Sequence, residues 1–552
     1  MSEDTGRRPE RRTTSQPERE NKWVERREDY ALRFVPLSYR RWSWISLLGV
    51  MLGISTAMFF LAFGGQLAQS YGTLNLLIGM ILGTLFIGAV GYFFTSVSSV
   101  TGLDSDLITR GAGFGFMGSA FTSLIYSFNF LIFSAFEGTI MANAIHARYE
   151  SVPLPLLYAV IGLIFIPLTW YGLTAMNWVM WGTIPLYFGF LIWTIILVAT
   201  NGNTVDFWGF EPTSPVSPEA GPPLLQLGAV LLGLITNATI CADIGRFIPP
   251  SQRRVGSFAL GFGFEAATFL GVTMLGAWLT LRLGGETDPG TYLAGLLGFW
   301  GVLFVVITQI RINVMNTYSG SLAYANFFAR VFHFAPGRHW WVVLTAVLST
   351  GLMFGGVYAK LTQVLTFEAV FVMAWIMAVV SDVLINKRLL GLSPRDYPYK
   401  RSQTYKYNPV GVGALIFALL IAVPMAFGIL GPLGKTLAPY VSGGLAFAAV
   451  PVLAYITKGR YYTAPTVAEN VDPKLPKFGA GAATEVLTAD TEAPTQPCVK
   501  CGKHFELAEF VRCPFHKGSI CSVCCAAEPS CGELCKEQAS GPTPVTLENR
   551  RS

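Results

Sequence analysis

The sequence predicts an all-α integral membrane protein with twelve transmembrane helices, followed by a small metal-stapled tail. Hydrophobic residues make up 52% of the 552 positions and charged residues only 13%, whereas soluble proteins carry roughly 25% charged residues. Apolar runs of about 20 residues, each long enough to cross a bilayer, recur along the chain. Eight of the nine cysteines lie after the last of these runs, which predicts the tail.

The apolar runs number twelve and set the predicted positions of the spans. They are residues 43–68, 73–98, 117–146, 154–174, 177–199, 224–247, 256–282, 292–317, 340–362, 366–386, 409–431 and 436–456. The first 42 residues are polar and rich in arginine rather than apolar, so we expect no cleavable signal peptide.

Basic residues are concentrated at alternate connections, which predicts the orientation of the chain. Lys and Arg crowd the N-terminus and the connections at 246–254, 330–338 and 387–406, whereas 200–223 and 284–291 hold acids and no Lys or Arg. By the positive-inside rule, both termini are cytoplasmic in a multi-pass protein of the cell (inner) membrane, and the number of spans is even. A basic arm beside a first span is typical of an orientation signal, so we expect no nucleic-acid partner.

Composition divides the chain into five predicted regions. They are a cytoplasmic basic arm at 1–42, a twelve-helix body at 43–460, a flexible linker at 461–497, a Cys-rich metal-binding tail at 498–535 and a disordered C-terminus at 536–552. The linker is predicted from its Pro, Ala and Thr content.

Glu137 and Arg311 are charged residues in the middle of predicted spans. Glu137 lies within the apolar run 121–145, and Arg311 interrupts the run 293–314. A charge at membrane depth costs several kcal/mol unless it is paired or faces a water-filled path, so it marks a substrate or ion route. The alternative is a structural pair inside the membrane, between Glu137 and Arg311 or with another helix.

Small and polar residues cluster in the first and sixth spans. These residues are Gly49, Gly53, Ser55 and Thr56 in the first span, and Gly228, Gly233, Thr236, Asn237 and Thr239 in the sixth. Interrupted helices at corresponding positions of two halves indicate a binding site near the midplane of the membrane. Close helix packing is the alternative explanation.

Four short motifs follow one another along the body. They are Thr101-Gly102-Leu103 with Arg110, Phe114-Gly115 and Gly118-Ser119-Ala120; Ala242-Asp243-Ile244-Gly245-Arg246-Phe247; Asn313 with Tyr318-Ser319-Gly320-Ser321-Leu322; and Ser381-Asp382 with Tyr407-Asn408-Pro409-Val410-Gly411. In this order and spacing, the body resembles the purine–cytosine permease family of nucleobase–cation symporters (the nucleobase–cation symporter-1 type).

The resemblance implies a transporter fold with a five-plus-five inverted repeat and a small-molecule substrate between spans 1, 3, 6 and 8. It assigns the ring-stacking position of the third span to Phe133 and a hydrogen-bonding position one turn later to Glu137. The sixth-span position falls on Gly233 and Leu234, and the eighth-span position on Asn313. Asn129 lies two helical turns before Glu137 on the same face, so we expect it beside the substrate as well. A hydrogen bond between helices is the alternative role for this asparagine.

The chain departs from the family pattern at its charges and at its aromatic residues. Phe133 replaces a larger aromatic residue, and Leu234 replaces a second one. Glu137 replaces a Gln, which exchanges a neutral amide for a group that can carry a proton. Arg311 lies where sodium-using relatives place small hydroxyl residues beside the ion. We therefore expect coupling to protons through Glu137, with Arg311 occupying the space of the cation and transport independent of sodium. Pairing of Glu137 with a cationic substrate or with a Lys or Arg is the alternative.

The cysteine spacing of the tail predicts metal binding. The expected ligands are Cys498, Cys501, Cys513, Cys521, Cys524, Cys525, Cys531 and Cys535. Two Cys-x2-Cys pairs about 20 residues apart have zinc-ribbon spacing, and eight thiolates can form two tetrahedral zinc sites. An iron–sulfur cluster is the alternative, and no organic cofactor is expected. The tail resembles Cys-rich segments of bacterial proteins that join a transporter-like body to a signalling kinase, which implies a separate cytoplasmic signalling protein as its partner.

Two functions follow from these features. The leading one is secondary active transport of a nucleobase or related nitrogen heterocycle. The alternative is a permease-like membrane sensor that binds a ligand and signals through the tail. The sequence carries no nucleotide-binding loop and no hydrolytic constellation, so we expect neither an enzyme nor an ATP-driven pump.

Overall fold

The computed structural model describes residues 33–170, 173–332, 334, 338–465, 495–528 and 530–537. In this part of the chain, nine helices are long and apolar enough to cross a membrane, and a bent pair of helices forms a tenth span. Two shorter apolar helices bring the segments to the twelve predicted positions. The predicted all-α membrane fold is therefore confirmed.

The twelve spans are numbered in chain order. Spans 1 to 4 are the pair Trp44–Ser55 with Met58–Tyr71, then Thr73–Thr101, Ser105–Arg148 and Leu154–Trp170. Spans 5 to 8 are Leu173–Asn201, Pro223–Gly245, Pro250–Arg282 and Phe299–Val331. Spans 9 to 12 are Arg338–Phe354, Val357–Leu390, Pro409–Ala426 and Gly431–Ile456.

Span 8 begins later than predicted, because a separate helix, Pro289–Leu297, precedes it. The Asp288 side chain caps this helix by accepting a hydrogen bond from the Gly290 backbone N–H at 2.8 Å. Gly298, with φ at 59°, then turns the chain into span 8. A positive φ favours glycine, so the apolar run 292–317 is divided at a glycine.

Spans 1 and 6 are interrupted, as their small and polar residues predict. The two halves of span 1 meet at an angle of 55°. Span 6 contains a 3₁₀-helical turn at Leu232–Thr236. Span 3 has a break of its own at Arg110–Phe114, where Gly113 has φ at 85°. These breaks leave backbone groups without helical partners inside the body, which is where transporters bind ions and substrates.

Packing divides the body into groups of helices. Spans 3 and 8 pack along each other, spans 10, 11 and 12 form a second group, and span 2 packs on spans 6 and 7. The second half of span 1 lies against span 7 so closely that a Cβ at Gly64 would be 1.8 Å from the Thr273 carbonyl oxygen. Such contacts between backbones are typical of small residues at membrane helix interfaces.

The tail forms two small antiparallel hairpins and two short helices. The strands are β1 (Thr495–Pro497), β2 (His504–Glu506), β3 (Phe510–Cys513) and β4 (Gly518–Cys521), and the helices are Ser522–Ala526 and Leu534–Glu537. Phe505, Phe510 and Ile520 form its small core together with cysteines. Strand β1 lies in the predicted linker, of which residues 466–494 are outside the described residues.

The N-terminal segment and the tail lie at the same end of the body. Arg40 donates hydrogen bonds to the carbonyl oxygens of Val100 and Thr101 at 2.6 and 2.9 Å, at the end of span 2. Arg33 forms an ion pair with Glu506 of the tail at 3.6 Å. Chain segments on either side of the twelve spans therefore meet on one face, which agrees with an even number of crossings.

Candidate functional site

The carboxylate of Glu137 lies at the start of the second half of span 1. Its side chain is buried, and it accepts a hydrogen bond from the Phe59 backbone N–H at 3.3 Å. The Gln309 side-chain amide of span 8 donates a second one at 2.6 Å. The first N–H groups of a helix lack helical partners and carry partial positive charge, so a carboxylate stabilises this end.

The guanidinium of Arg311 lies at the end of the first half of span 1. Arg311 is buried, and its Nη2 donates to the Gly53 carbonyl oxygen at 3.4 Å. Its Cζ lies 5.3 Å from the ring centroid of Tyr187 in span 5. Nε and Nη1 are buried without a hydrogen-bond partner among the described residues. A cation at a helix C-terminus is favourable, since the carbonyl groups there carry partial negative charge.

Glu137 and Arg311 therefore bracket the break in span 1. Each charge complements the dipole of one half-helix, an effect of about 0.3–2 kcal/mol per charge. In the described part of the chain they do not pair with each other: Glu137 is bonded to Gln309 and Phe59, and Arg311 to Gly53. Of the two forms that the alternative of a structural pair could take, an ion pair between Glu137 and Arg311 is not present among the described residues, whereas Glu137 is hydrogen-bonded to another helix through Gln309.

Phe133 belongs to an aromatic cluster one turn before Glu137. Its ring centroid lies 4.9 Å from that of Phe59, in an edge-to-face arrangement, and 6.2 Å from that of Phe136. Phe136 in turn stacks on Phe59 at 5.7 Å. Phe133 is the partly exposed member of this cluster. The predicted stacking residue and the Glu137 carboxylate are thus joined through Phe59 of the broken span.

The two asparagines of the predicted site bond to other helices. Asn313 donates to the Ser134 carbonyl oxygen at 3.2 Å, which links span 8 to span 3. Asn129 donates to Glu368 of span 10 at 2.6 Å. Glu368 is buried and was missed in the sequence, although the same criterion that selected Glu137 applies to an acid within an apolar run.

Gly233 and Leu234 lie in the 3₁₀-helical turn of span 6 and are buried. A Cβ at Gly233 would lie 2.5 Å from the Leu365 carbonyl oxygen of span 10. Gly233 therefore permits close packing of spans 6 and 10. Leu234 is part of the main apolar core. The structure brings Phe133 and Glu137 together, with Asn313 on the adjacent span. It places Gly233 against span 10 instead.

Three buried acids in the spans share one type of partner, a side-chain amide from a neighbouring helix. The pairs are Glu137 with Gln309, Glu368 with Asn129 at 2.6 Å, and Glu265 with Asn237 at 3.4 Å. An amide can donate to a carboxylate and can also accept from a carboxylic acid. Each pair can therefore keep a hydrogen bond in both protonation states of the acid.

A cavity of about 140 Å³ lies at the end of the body that carries the tail. Its lining includes Asp104, Asp106, Tyr126, Asp243, Tyr318 and Trp375, from spans 3, 6, 8 and 10 and the connection before span 3. Two ion pairs join these segments. Arg246 contacts Asp104 at 3.1 Å, and Arg330 contacts Asp106 at 2.9 Å. The ends of spans 3, 6 and 8 nearest the tail are thereby tied together around the cavity.

Four tail cysteines form a candidate metal site. The sulfur atoms of Cys498, Cys501, Cys521 and Cys524 all lie within 4.8 Å of one another. A tetrahedral zinc ion with Zn–S distances of about 2.3 Å places its sulfurs about 3.8 Å apart, so this donor set fits a metal. Burial raises the pKa of Cys498, but backbone N–H donors, first that of Cys521, bring it down to about 7. The thiolate of Cys498, the form that binds metal, is accordingly accessible at neutral pH, whereas burial raises the pKa of Cys501.

The remaining four tail cysteines form a second group. Burial raises the pKa of Cys525 to about 12, and the neighbouring thiols of Cys535, Cys513 and Cys531 add to the effect. Cys535 interacts in the same way with Cys531 and Cys513. Within the described residues, only the first group has its sulfurs as close as a bound metal requires. His516 contacts Glu528 at 3.1 Å.

The fold and these sites define a multi-pass membrane protein whose first and sixth spans are broken beside buried charges. No family model and no curated protein matches the chain. Solved structures do match. Mhp1, a nucleobase-cation-symport-1 family transporter, in a closed conformation with bromovinylhydantoin bound, has a TM-score of 0.58 and 18% identity over 77% of this chain and 96% of its own.

The inward-facing conformation of Mhp1 has a TM-score of 0.58 and 17% identity, over 79% of this chain and 97% of its own. A Na+-coupled sialic acid symporter in a substrate-bound, outward-open state has a TM-score of 0.55 and 13% identity, over 79% of this chain and 94% of its own. At these identities the likeness establishes the fold. The resemblance that the four motifs indicate is thus confirmed at the level of fold.

Proposed function

We propose that the chain is a secondary active transporter of a nucleobase or related nitrogen heterocycle. The observation that carries this proposal is the break in span 1, which has Glu137 at the start of one half-helix and Arg311 at the end of the other. Buried ionisable groups in membrane spans are costly and mark substrate or ion routes by default, and interrupted helices are where transporters place such sites. The shared fold with a nucleobase-cation-symport-1 transporter supports the substrate class.

The proposed substrate site lies between spans 1, 3, 6 and 8. Phe133 contacts the planar ring, and Glu137 binds its polar edge. Asn313 adds an amide from span 8. Gly233 and Leu234 stay proposed members from span 6, although Gly233 packs against span 10 and Leu234 lies in the main apolar core. Asn129 is the weakest member, because its amide already bonds to Glu368.

We propose that substrate transport is coupled to the movement of protons and is independent of sodium. The Arg311 guanidinium donates to the Gly53 carbonyl of the broken span, and two of its nitrogens, Nε and Nη1, have no hydrogen-bond partner among the described residues. We propose that it acts as a tethered cation there. One solved neighbour is Na+-coupled, and Arg311 is the reason to propose a different coupling here. Glu137, which can keep its bond to Gln309 in both protonation states, is the proposed proton carrier.

The test is uptake into proteoliposomes of a labelled panel of cytosine, uracil, purines, hydantoins and allantoin. We expect the wild type to accumulate one compound in response to a pH gradient, and equally when choline replaces sodium at fixed pH. Glu137→Gln should abolish the pH response, because an amide cannot release a proton. Glu219→Gln, at an exposed acid outside the spans, is the matched control. Full, pH-sensitive transport by Glu137→Gln would exclude Glu137 as the proton site.

A membrane sensor is the second candidate, favoured by direct contact between the tail and the body. In this case the protein binds the compound without flux, so binding without accumulation in the same proteoliposomes would identify it. The tail metal is proposed to be zinc, at the first cysteine group and at the second. A cytoplasmic location of the tail, with a separate signalling protein as its partner, stays a prediction.

A further inference from the structure

Residues 391–408, which connect spans 10 and 11, lie between the tail and the start of span 3; we name them the docking loop. On the tail side, Lys400 donates to the Phe510 carbonyl oxygen at 2.9 Å. Arg401 donates to the carbonyl oxygens of Cys525 and Glu528 at 3.2 and 2.5 Å.

Two further contacts hold the docking loop to the last part of the tail. Arg401 pairs with Glu533 at 3.2 Å, and Lys536 donates to the Thr404 carbonyl oxygen at 2.8 Å. Apart from Phe510, the tail groups that contact the docking loop in these two paragraphs lie at or between Cys525 and Lys536. The tail segment that carries most of the second cysteine group therefore also makes most of the contacts with the docking loop.

On the body side, the docking loop caps the helix that carries Phe133 and Glu137. The backbone N–H groups of Phe116 and Met117 donate to the carbonyl oxygens of Tyr405 and Lys406 at 3.0 and 2.8 Å. These two N–H groups belong to the first turn of the helix after the break in span 3, where helical acceptors are missing. The loop thus supplies the hydrogen bonds that fix where this helix starts.

The same loop reaches the ion pairs around the inner cavity. Arg110 donates to the Tyr399 carbonyl oxygen at 2.9 Å and pairs with Asp106 at 2.8 Å. Asp106 also pairs with Arg330 of span 8. A continuous series of contacts therefore runs from the tail, through the docking loop, to the segments that close the cavity.

Docking of the tail requires a folded tail. Lys400 is 6% exposed and Glu509 is fully buried; burial lowers the pKa of Lys400 to about 8 and raises that of Glu509 to about 7. Burying a charged lysine or glutamate costs free energy unless hydrogen-bonding or oppositely charged partners are held in fixed positions beside it. A segment as short as this tail has too little apolar core to hold those positions without a metal.

We propose that the tail is a metal-dependent brake, that is, a module that slows movement of the body. With a thiophilic divalent cation such as zinc bound by its cysteines, the tail docks on the loop 391–408 and holds the end of span 3 nearest the tail in its closed position. Alternating access needs one group of helices to move relative to the other. The docked loop, which connects spans 10 and 11, ties these two spans to span 3. Loss of the metal frees the loop and speeds transport. Only this last consequence rests on the proposed transport function.

Amide hydrogen exchange in the full chain in nanodiscs, with Zn²⁺ or after chelation, tests the docking itself. Exchange is read in residues 391–408 and 115–118, outside the tail, so unfolding of the tail alone does not decide the result. We expect at least about tenfold faster exchange in both segments after metal removal. Arg401→Ala should show fast exchange in both segments even when Zn²⁺ is bound. Mass spectrometry measures the exchange. Lys503→Ala, at an exposed lysine of the tail, is the matched control and should behave as the wild type.

Equal exchange of these segments with and without Zn²⁺ in the wild type, after confirmed metal loss, would overturn the docking. Uptake of the panel compounds in the same two metal states tests the brake: we expect at least about threefold faster uptake without metal, and unchanged or slower uptake would overturn it. If no panel compound is transported in either state, the transport proposal fails, and the exchange result still decides whether the tail docks.

Discussion

At the scale of single residues, the sequence located the important charges but not their partners. Glu137 and Arg311 stand out because a charge within an apolar run is rare and costly. Gln309, which lies two residues before Arg311 and bonds to Glu137, does not stand out, since an uncharged amide in a span is commonly a helix contact. The two charges lie at opposite ends of the break in span 1. This arrangement depends on the direction in which span 1 bends, and the sequence pattern does not predict that direction.

Arg311 should stabilise the fold through its charge at the end of the first half-helix of span 1. Arg311→Met keeps an unbranched side chain but removes the charge and its hydrogen bond to the Gly53 carbonyl, which keeps the hydroxyl of Thr56 as a donor at 2.6 Å. We expect a loss of about 1–2 kcal/mol in the free energy of unfolding, measured by thermal unfolding in detergent. Arg311→Lys keeps the charge and should recover part of the loss. Equal stability of the Met and Lys variants would show that the charge contributes nothing.

At the scale of helices, the breaks in spans 1 and 6 could be predicted, because Gly, Ser and Thr mark them in the sequence. The helix Pro289–Leu297 was not predicted, although Asp288 at the cap and Pro289 at the first position are typical helix-start residues. The apolar run continues across Gly298, so hydropathy alone gives one long span. The turn at Gly298 is visible only in its backbone conformation.

Gly64 should be intolerant of a larger side chain, because the second half of span 1 lies against the backbone of span 7. A Cβ there would be 1.8 Å from the Thr273 carbonyl oxygen. We expect Gly64→Ala to destabilise the protein by about 1–3 kcal/mol, seen as a lower unfolding temperature. Gly49→Ala, in the first half of span 1, meets nothing within 4 Å and should be neutral. Equal effects of the two variants would contradict the close packing of spans 1 and 7.

The helix Pro289–Leu297 should be more stable against local unfolding at acidic pH than at neutral pH. Burial raises the pKa of Asp288 to about 6, opposed by hydrogen bonds from Asn143 and Gly290. A carboxyl with a raised pKa stabilises the folded form below its ordinary pKa of about 4, and this stabilisation is lost as pH rises through about 6. Amide exchange in residues 289–297, corrected for intrinsic rates, should be slower at about pH 5 than at about pH 7.5.

Asp288→Asn is the matched control for this pH effect. Asn keeps a capping oxygen but does not titrate in this range, so the helix should remain formed. Its exchange should then be the same at both pH values. A pH dependence that persists in Asp288→Asn would assign the effect to another group.

At the scale of the whole molecule, the sequence predicted a body and a tail but not that they touch. Cysteine spacing indicates a metal module, and apolar runs indicate the spans, yet the contacts between them join residues far apart in the chain. The hydrogen bond from Lys400 to Phe510, for example, spans 110 positions. Lys400 and Arg401 look like ordinary orientation charges in a basic connection, and only the folded chain shows that they hold the tail.

The metal content of the protein should show whether the second cysteine group binds an ion in addition to the first group, whose sulfurs already lie close enough for one. We expect two Zn²⁺ ions per purified full-length chain, counted by elemental analysis, since each group supplies four thiolates. Cys531→Ser with Cys535→Ser should leave one ion, because the first group stays intact. Because Arg401 and Thr404 bond to the segment that carries the second group, this variant should also lose docking. A single ion in the wild type, unaffected by these substitutions, would restrict metal binding to Cys498, Cys501, Cys521 and Cys524, and docking would then depend on that site alone.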